Sequence, residues 1–135
     1  MTKEYNRHKS REVALQTLYQ IDINEEGLDE NLAMLVDRIG EERLTGAFLE
    51  KLIVGTYQNL DTIDEKLNES TKGWKVSRMG VIDRNILRLA VYEILYCDDI
   101  PIEVSINEAV ELAKGFATDK SSSFINGVLG KVVKE

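Results

Sequence analysis

The residues best placed to do chemistry are four cationic or titratable side chains crowded near the N-terminus: Arg7, His8, Lys9 and Arg11. Basic groups bunched on one short segment suit phosphate oxygens, because phosphate binding needs a local positive patch rather than a basic protein overall. The plainer alternative is that terminal cations keep a helix soluble, and charge by itself does not choose between the two. Groups able to run a reaction are sparse. His8 is the one histidine and stands in a polar segment that gives a general base no support, so it reads as a solvated or phosphate-contacting side chain. One histidine and one cysteine cannot build a nitrogen- or sulfur-rich metal site. Cys97 precedes Asp98 and Asp99, an acidic setting that works against a reactive thiolate, and it reads as a core residue. Gly127-Val128-Leu129-Gly130-Lys131 lacks the spacing and the Ser/Thr of a phosphate loop, and its glycines read as points where another backbone comes close. Glu25-Glu26 and Glu41-Glu42 read as solvated faces. The expectation is a binding protein rather than an enzyme, with no metal and no cofactor.

The elements that must position these groups are helical almost throughout. Ser10 reads as an N-cap, and Val13, Ala14, Leu18, Tyr19 and Ile21 form one stripe along a helix reaching Asn24. Cations at a helix N-terminus oppose the macrodipole, at about 0.3–1 kcal/mol per charge, so a sequence that tolerates them there points to a partner for the charges. Gly27 and Gly40 bracket a second helix over Leu28 to Ile39. Thr45 reads as the cap of a third carrying Phe48, Leu49, Leu52, Ile53 and Tyr57, and Asn59 or Asp61 restarts the chain with Ile63 and Leu67. Lys72-Gly73-Trp74 is the clearest loop, with Trp74 read as a core plug between two halves and not as a ligand platform. Val81 to Cys97 is apolar around most of its circumference and therefore central and buried. Asp99-Ile100-Pro101 breaks it, since the residue before proline avoids the helical region. A sixth helix follows through Val104, Ile106, Ala109 and Leu112. Ser121 or Ser122 opens a seventh with Phe124, Ile125, Val128, Leu129 and Val132. No stretch alternates with the period of a strand.

At 135 residues the chain fits one domain, or two small helical lobes sharing a core. Hydrophobic residues at 43% and charged residues at 30% describe an ordinary globular chain. No apolar run is long enough for a bilayer, no secretory signal is expected, and a lone cysteine suits a reducing compartment, so the expected location is cytoplasmic, away from membranes. Net charge is −7 but unevenly spread. Lys3, Arg7, Lys9 and Arg11 face Glu4 alone in the first eleven residues, whereas residues 12–70 set fourteen acids against Arg38, Arg43, Lys51 and Lys66. Lys72, Lys75, Arg78, Arg84 and Arg88 then form a second basic stretch against Asp83.

Three blocks, in order, resemble the NusB family of transcription antitermination factors. The first is Arg11-Glu12-Val13-Ala14-Leu15-Gln16-Thr17-Leu18-Tyr19-Gln20. The second is Val81-Ile82-Asp83-Arg84-Asn85-Ile86-Leu87-Arg88-Leu89-Ala90-Val91-Tyr92-Glu93. The third runs from Asp99-Ile100-Pro101 through Ile106-Asn107-Glu108-Ala109-Val110-Glu111-Leu112-Ala113-Lys114 to Phe124-Ile125-Asn126-Gly127-Val128-Leu129. The resemblance covers nearly the whole chain. It implies an all-α fold of about seven helices in two packed three-helix bundles, within a single domain over residues 1–135, the bundles meeting near residues 72 and 73. It also implies binding of boxA-type RNA of ribosomal RNA leader transcripts, jointly with the small-subunit ribosomal protein NusE, within an antitermination complex that helps RNA polymerase pass terminators.

Carried over residue by residue, the resemblance places Arg7, Lys9 and Arg11 among the RNA-contacting cations, with His8 beside them. Lys120 and Phe124 fall in a loop-to-helix region near the RNA, and Tyr19 and Asp83 where NusE docks. The interleaved Asn6, His8 and Ser10 dilute a segment that can hold consecutive arginines in relatives, and Lys120 stands where some relatives carry an acid. Read as residues alone, Phe124 and Tyr19 fit a core as well as an interface, and Asp83 fits a helix cap or surface ion pair. Two other readings stay open: the substrate-binding module of an RNA methyltransferase, since similar domains occur fused to such enzymes, and a protein-only scaffold. Homodimerisation is likewise open.

Overall fold

The computed structural model describes residues 4–134; Lys3, counted above in the basic segment, lies outside them. The chain divides into two compact units between Gln58 and Asn59.

In the first unit, α1 (Arg7–Asn24) begins earlier than the Ser10 cap expected above. Asn6 is the cap: its backbone is extended and its Oδ1 accepts from the Lys9 amide at 2.8 Å. Asn serves this role as well as Ser, and it leaves Ser10 inside the helix, where its buried hydroxyl donates to the Tyr5 carbonyl. The first turn therefore comprises Arg7, His8, Lys9 and Ser10, with no acid in it. Val13, Ala14, Leu15 and Leu18 are buried, and α1 packs on α4 (Phe48–Gln58), whose Leu49, Leu52 and Ile53 are at most 1% exposed. Each such side chain contributes about 1.5–3 kcal/mol of transfer free energy. Between them lie α2 (Leu28–Ile39), with the bounds expected, and a one-turn α3 (Glu41–Leu44). Thr45 closes α3 rather than opening α4. The turn into α3 passes through Gly40 at φ 94°, a left-handed conformation that a side chain would strain.

In the second unit, α5 (Leu60–Thr71) is followed by a 3₁₀ turn (Val76–Arg78), α6 (Val81–Tyr96), α7 (Ile102–Phe116) and α8 (Asp119–Lys134). α6 is central, packing on α5, α7 and α8, as its all-round apolar pattern implied; Ile86, Leu87, Leu89 and Val91 are essentially inaccessible. Arg88 crosses to α5 and grips Asp64 with two hydrogen bonds, at 2.9 and 2.8 Å. That pair takes one charge out of the second basic stretch. It also ties α5 to α6, so the division of the chain falls before α5 and not in the Lys72-Gly73-Trp74 loop where the charge changes sign.

Among the described residues there are eight α-helices and no strand, against about seven helices expected. The added element is α3, whose single turn is too short to show a periodicity. Three long helices fall in the first unit and four in the second, so the elements do not divide as two sets of three. α8 starts at Asp119, ahead of the expected Ser121, because the Thr118 hydroxyl accepts from the Ser121 amide at 3.0 Å and its carbonyl from Ser122. The close approach expected at Gly127 and Gly130 is absent: a Cβ at either meets nothing within 4 Å. Both are helix-interior glycines in open space, so Gly130→Ala is expected to raise stability by about 0.5–1 kcal/mol, measured by urea unfolding. A loss of stability there would restore the close-approach reading.

Candidate nucleic-acid interface

In the first unit the basic segment is ordered by an aromatic ring. α4 begins with Phe48, and the Arg7 guanidinium lies over that ring at 4.4 Å from its centroid, with Arg11 at 5.5 Å. Cation–π attraction of this kind is worth about 0.5–1 kcal/mol when exposed and about 2 when desolvated. It therefore fixes a guanidinium that the helix dipole disfavours. The two arginines differ in access: Arg7 is exposed, Arg11 is 3% exposed. Arg7 thus presents its outer surface to solvent while Arg11 is buried. His8 and Lys9 point to Glu12, at 3.6 and 3.9 Å, in exposed pairs that contribute little and leave both side chains more than half accessible.

Arg43 was not singled out from sequence, yet the fold brings it to Tyr5, two residues before Arg7. Its guanidinium sits 5.0 Å from the Tyr5 ring and donates to the Tyr5 hydroxyl at 3.2 Å. The acidic run around Arg43 hid it, since averaging charge along the chain ignores the fold. Tyr19 lies further along α1 and is half-buried, which accommodates both an apolar body in the core and a reachable hydroxyl.

In the second unit, Lys120, Phe124 and Asp83 do come together, around a residue read differently from sequence. Trp74 is not a core plug: it is 55% exposed, with its ring centroid 5.9 Å from that of Phe124 and tilted by 52°. Positive φ at Lys72 and Gly73 turns the loop so that Val76 and Met79 take the buried places instead. Trp74, Met79, Asp83, Lys120, Ser121 and Phe124 line an open cleft of about 320 Å³. Asp83 stands in the first turn of α6, half-buried, where a carboxylate also complements the helix dipole. The available sequence signal for Trp74 was its own neighbourhood, an aromatic between Lys72 and Lys75.

Among the described residues no three His, Cys, Asp or Glu side chains group to hold a metal ion, and no helix is long and apolar enough to cross a membrane. Cys97 is buried at the end of α6. The first cluster offers cations held on aromatic rings and the second an aromatic pair beside an exposed lysine, a chemistry suited to phosphates and bases.

Comparison with known proteins decides the lineage. The NusB family profile matches residues 8–134. The chain belongs to the NusB family. Its NusB-family relatives include the transcription antitermination protein NusB of Exiguobacterium sp., 44% identical over 96% of this chain and 98% of that protein. The same protein of Clostridium acetobutylicum is also 44% identical, over 95% of each chain. Among solved structures, Thermotoga maritima NusB superposes with a TM-score of 0.83 at 35% identity, covering 98% of this chain and 93% of that one. A NusB crystallised as part of a complex of the antitermination factors NusB and NusE with double-stranded RNA superposes at 0.80 with 25% identity, over 96% and 98% of the two chains.

Proposed function

We propose that this NusB-family chain is a cytoplasmic, non-catalytic RNA-binding antitermination factor. It takes boxA-type RNA of ribosomal RNA leader transcripts together with NusE and suppresses premature termination by RNA polymerase. The observation that carries the proposal is the exposed Arg7 guanidinium held 4.4 Å over Phe48 at the head of α1, with His8 and Lys9 beside it. A stacked, pre-oriented guanidinium loses less conformational freedom on meeting a phosphate. The relatives named above, and the solved complex with NusE and RNA, support the same reading.

In this reading Arg7, His8 and Lys9 meet the RNA backbone, Arg43 extends their surface, and Arg11 acts through Phe48. Lys120 and Phe124 form a second RNA-contacting group, while Tyr19 and Asp83 receive NusE. The two bundles then divide before α5, one holding α1 to α4 and the other α5 to α8, in place of the two sets of three expected. The 44% identity to the Exiguobacterium antitermination protein favours the factor over the methyltransferase module.

The test is a titration of labelled boxA-type RNA with and without NusE. NusE is expected to raise the affinity, and binding is expected to weaken steeply with added salt as counterions are released. Equal affinity in the presence and absence of NusE overturns joint binding.

A further inference from the structure

We infer that Trp74 and Phe124 form a shelf on which an unpaired RNA base stacks, with lysines on both sides to take the flanking phosphates; this rests on the RNA-binding reading above. Three observations converge on it. First, more than half of a large indole faces solvent, while Phe124 supports it from one side at 5.9 Å. Leaving that much apolar surface in water is unfavourable, so an exposed tryptophan held in place is informative where a scattered leucine is not.

Second, the loop is pinned. Thr71 Oγ1 donates to the Trp74 carbonyl at 2.7 Å, the Val76 amide donates to Asn68 Oδ1 at 3.0 Å, and the Arg78 amide donates to the Lys75 carbonyl at 2.9 Å. The indole is therefore presented on a braced turn, which lowers the ordering cost of binding.

Third, the aromatic pair lies between two open clefts of about 320 Å³ each, both of which it helps to line. One cleft carries Lys120 and the other Lys131, and both lysines are exposed. Asp83 on the wall of the first cleft repels phosphate from its interior, which leaves that space to a base and the lysine-bearing rims to the backbone. Aromatic faces flanked by cations are how single strands are held without reading every base. Inside a duplex the bases already stack on one another, so only its two end pairs can offer a face to such a shelf.

Trp74 is the single tryptophan of the chain, so its emission reports on this place alone. The full-length protein is titrated with single-stranded boxA-type RNA and, separately, with the same sequence embedded in a much longer duplex in which end pairs are few, following indole emission and the anisotropy of labelled RNA. The single strand is expected to quench Trp74 and the duplex to leave it unchanged. Trp74→Leu is expected to weaken single-strand binding about tenfold or more while sparing duplex binding, and Trp74→Phe to restore most of the loss. Circular dichroism verifies that the variants fold. Single-strand binding with unchanged emission, equal quenching by the duplex, or wild-type affinity in Trp74→Leu overturns the shelf and leaves the RNA-binding reading standing. Absence of binding to either RNA, with NusE added as well as without it, overturns the RNA-binding reading itself.

Discussion

Arg7→Ala is expected to weaken binding of boxA-type RNA about tenfold and to reduce the slope of log affinity against log salt by about 1, the signature of one lost phosphate contact. Arg11→Ala is expected to leave that slope nearly unchanged and to lower stability instead, by about 2 kcal/mol. Both expectations follow from access. Arg7 is exposed with its guanidinium above Phe48, whereas Arg11 is 3% exposed and lies 5.5 Å from the centroid of the same ring. Removing Arg11 forfeits a desolvated cation–π contact and the packing of its aliphatic stem. Removing Arg7 forfeits a weaker exposed contact and a charge facing outward. Filter binding across a salt series, beside urea unfolding of each variant, separates the two. Equal slopes for Arg7→Ala and the parent would remove Arg7 from the phosphate contacts.

The second large effect is expected within α6. Glu93 is 2% exposed, and its Oε1 accepts a hydrogen bond from the Ser105 hydroxyl of α7 at 2.9 Å. Glu93→Ala leaves a cavity beside a buried hydroxyl without its acceptor, and is expected to cost about 3–5 kcal/mol, near the top of the range for single substitutions. Ser105→Ala removes one donor and leaves the carboxyl its remaining surroundings, so about 1–3 kcal/mol is expected. A double-mutant cycle measured by urea unfolding gives the coupling directly. If the two losses simply add, the hydrogen bond carries no energy of its own. Neither residue lies in the proposed RNA-binding clusters, so RNA affinity per folded molecule is expected to hold in Ser105→Ala.

How far the site was legible from the chain depended on the range of the interaction. The cationic run, the absence of a supported general base and the order of three sequence blocks were all readable as a string, and they led to the family. The pairing of those cations with aromatic rings was not. Phe48 reads as one more apolar residue of a helical stripe until α4 packs on α1 and brings its ring under Arg7. Arg43 and Tyr5 are separated by 38 positions and meet only in the folded unit. Arg88 counts as one more charge of the second basic stretch until the fold sets it against Asp64.

The amino-acid sequence by itself determined the helices, because helical periodicity is a local property: α2 and α6 lie where their apolar spacing and glycine or proline boundaries put them. Caps proved less readable, since Asn6 and Ser10, or Thr118 and Ser121, satisfy the same local rule, and the choice depends on which residue the core must swallow. Tertiary structure alone decided which arginine faces outward, where the chain divides, and that Trp74 stands in solvent on Phe124. Burial is a property of surfaces in contact. A residue's type sets what burial is worth, and only the packed chain sets whether it occurs.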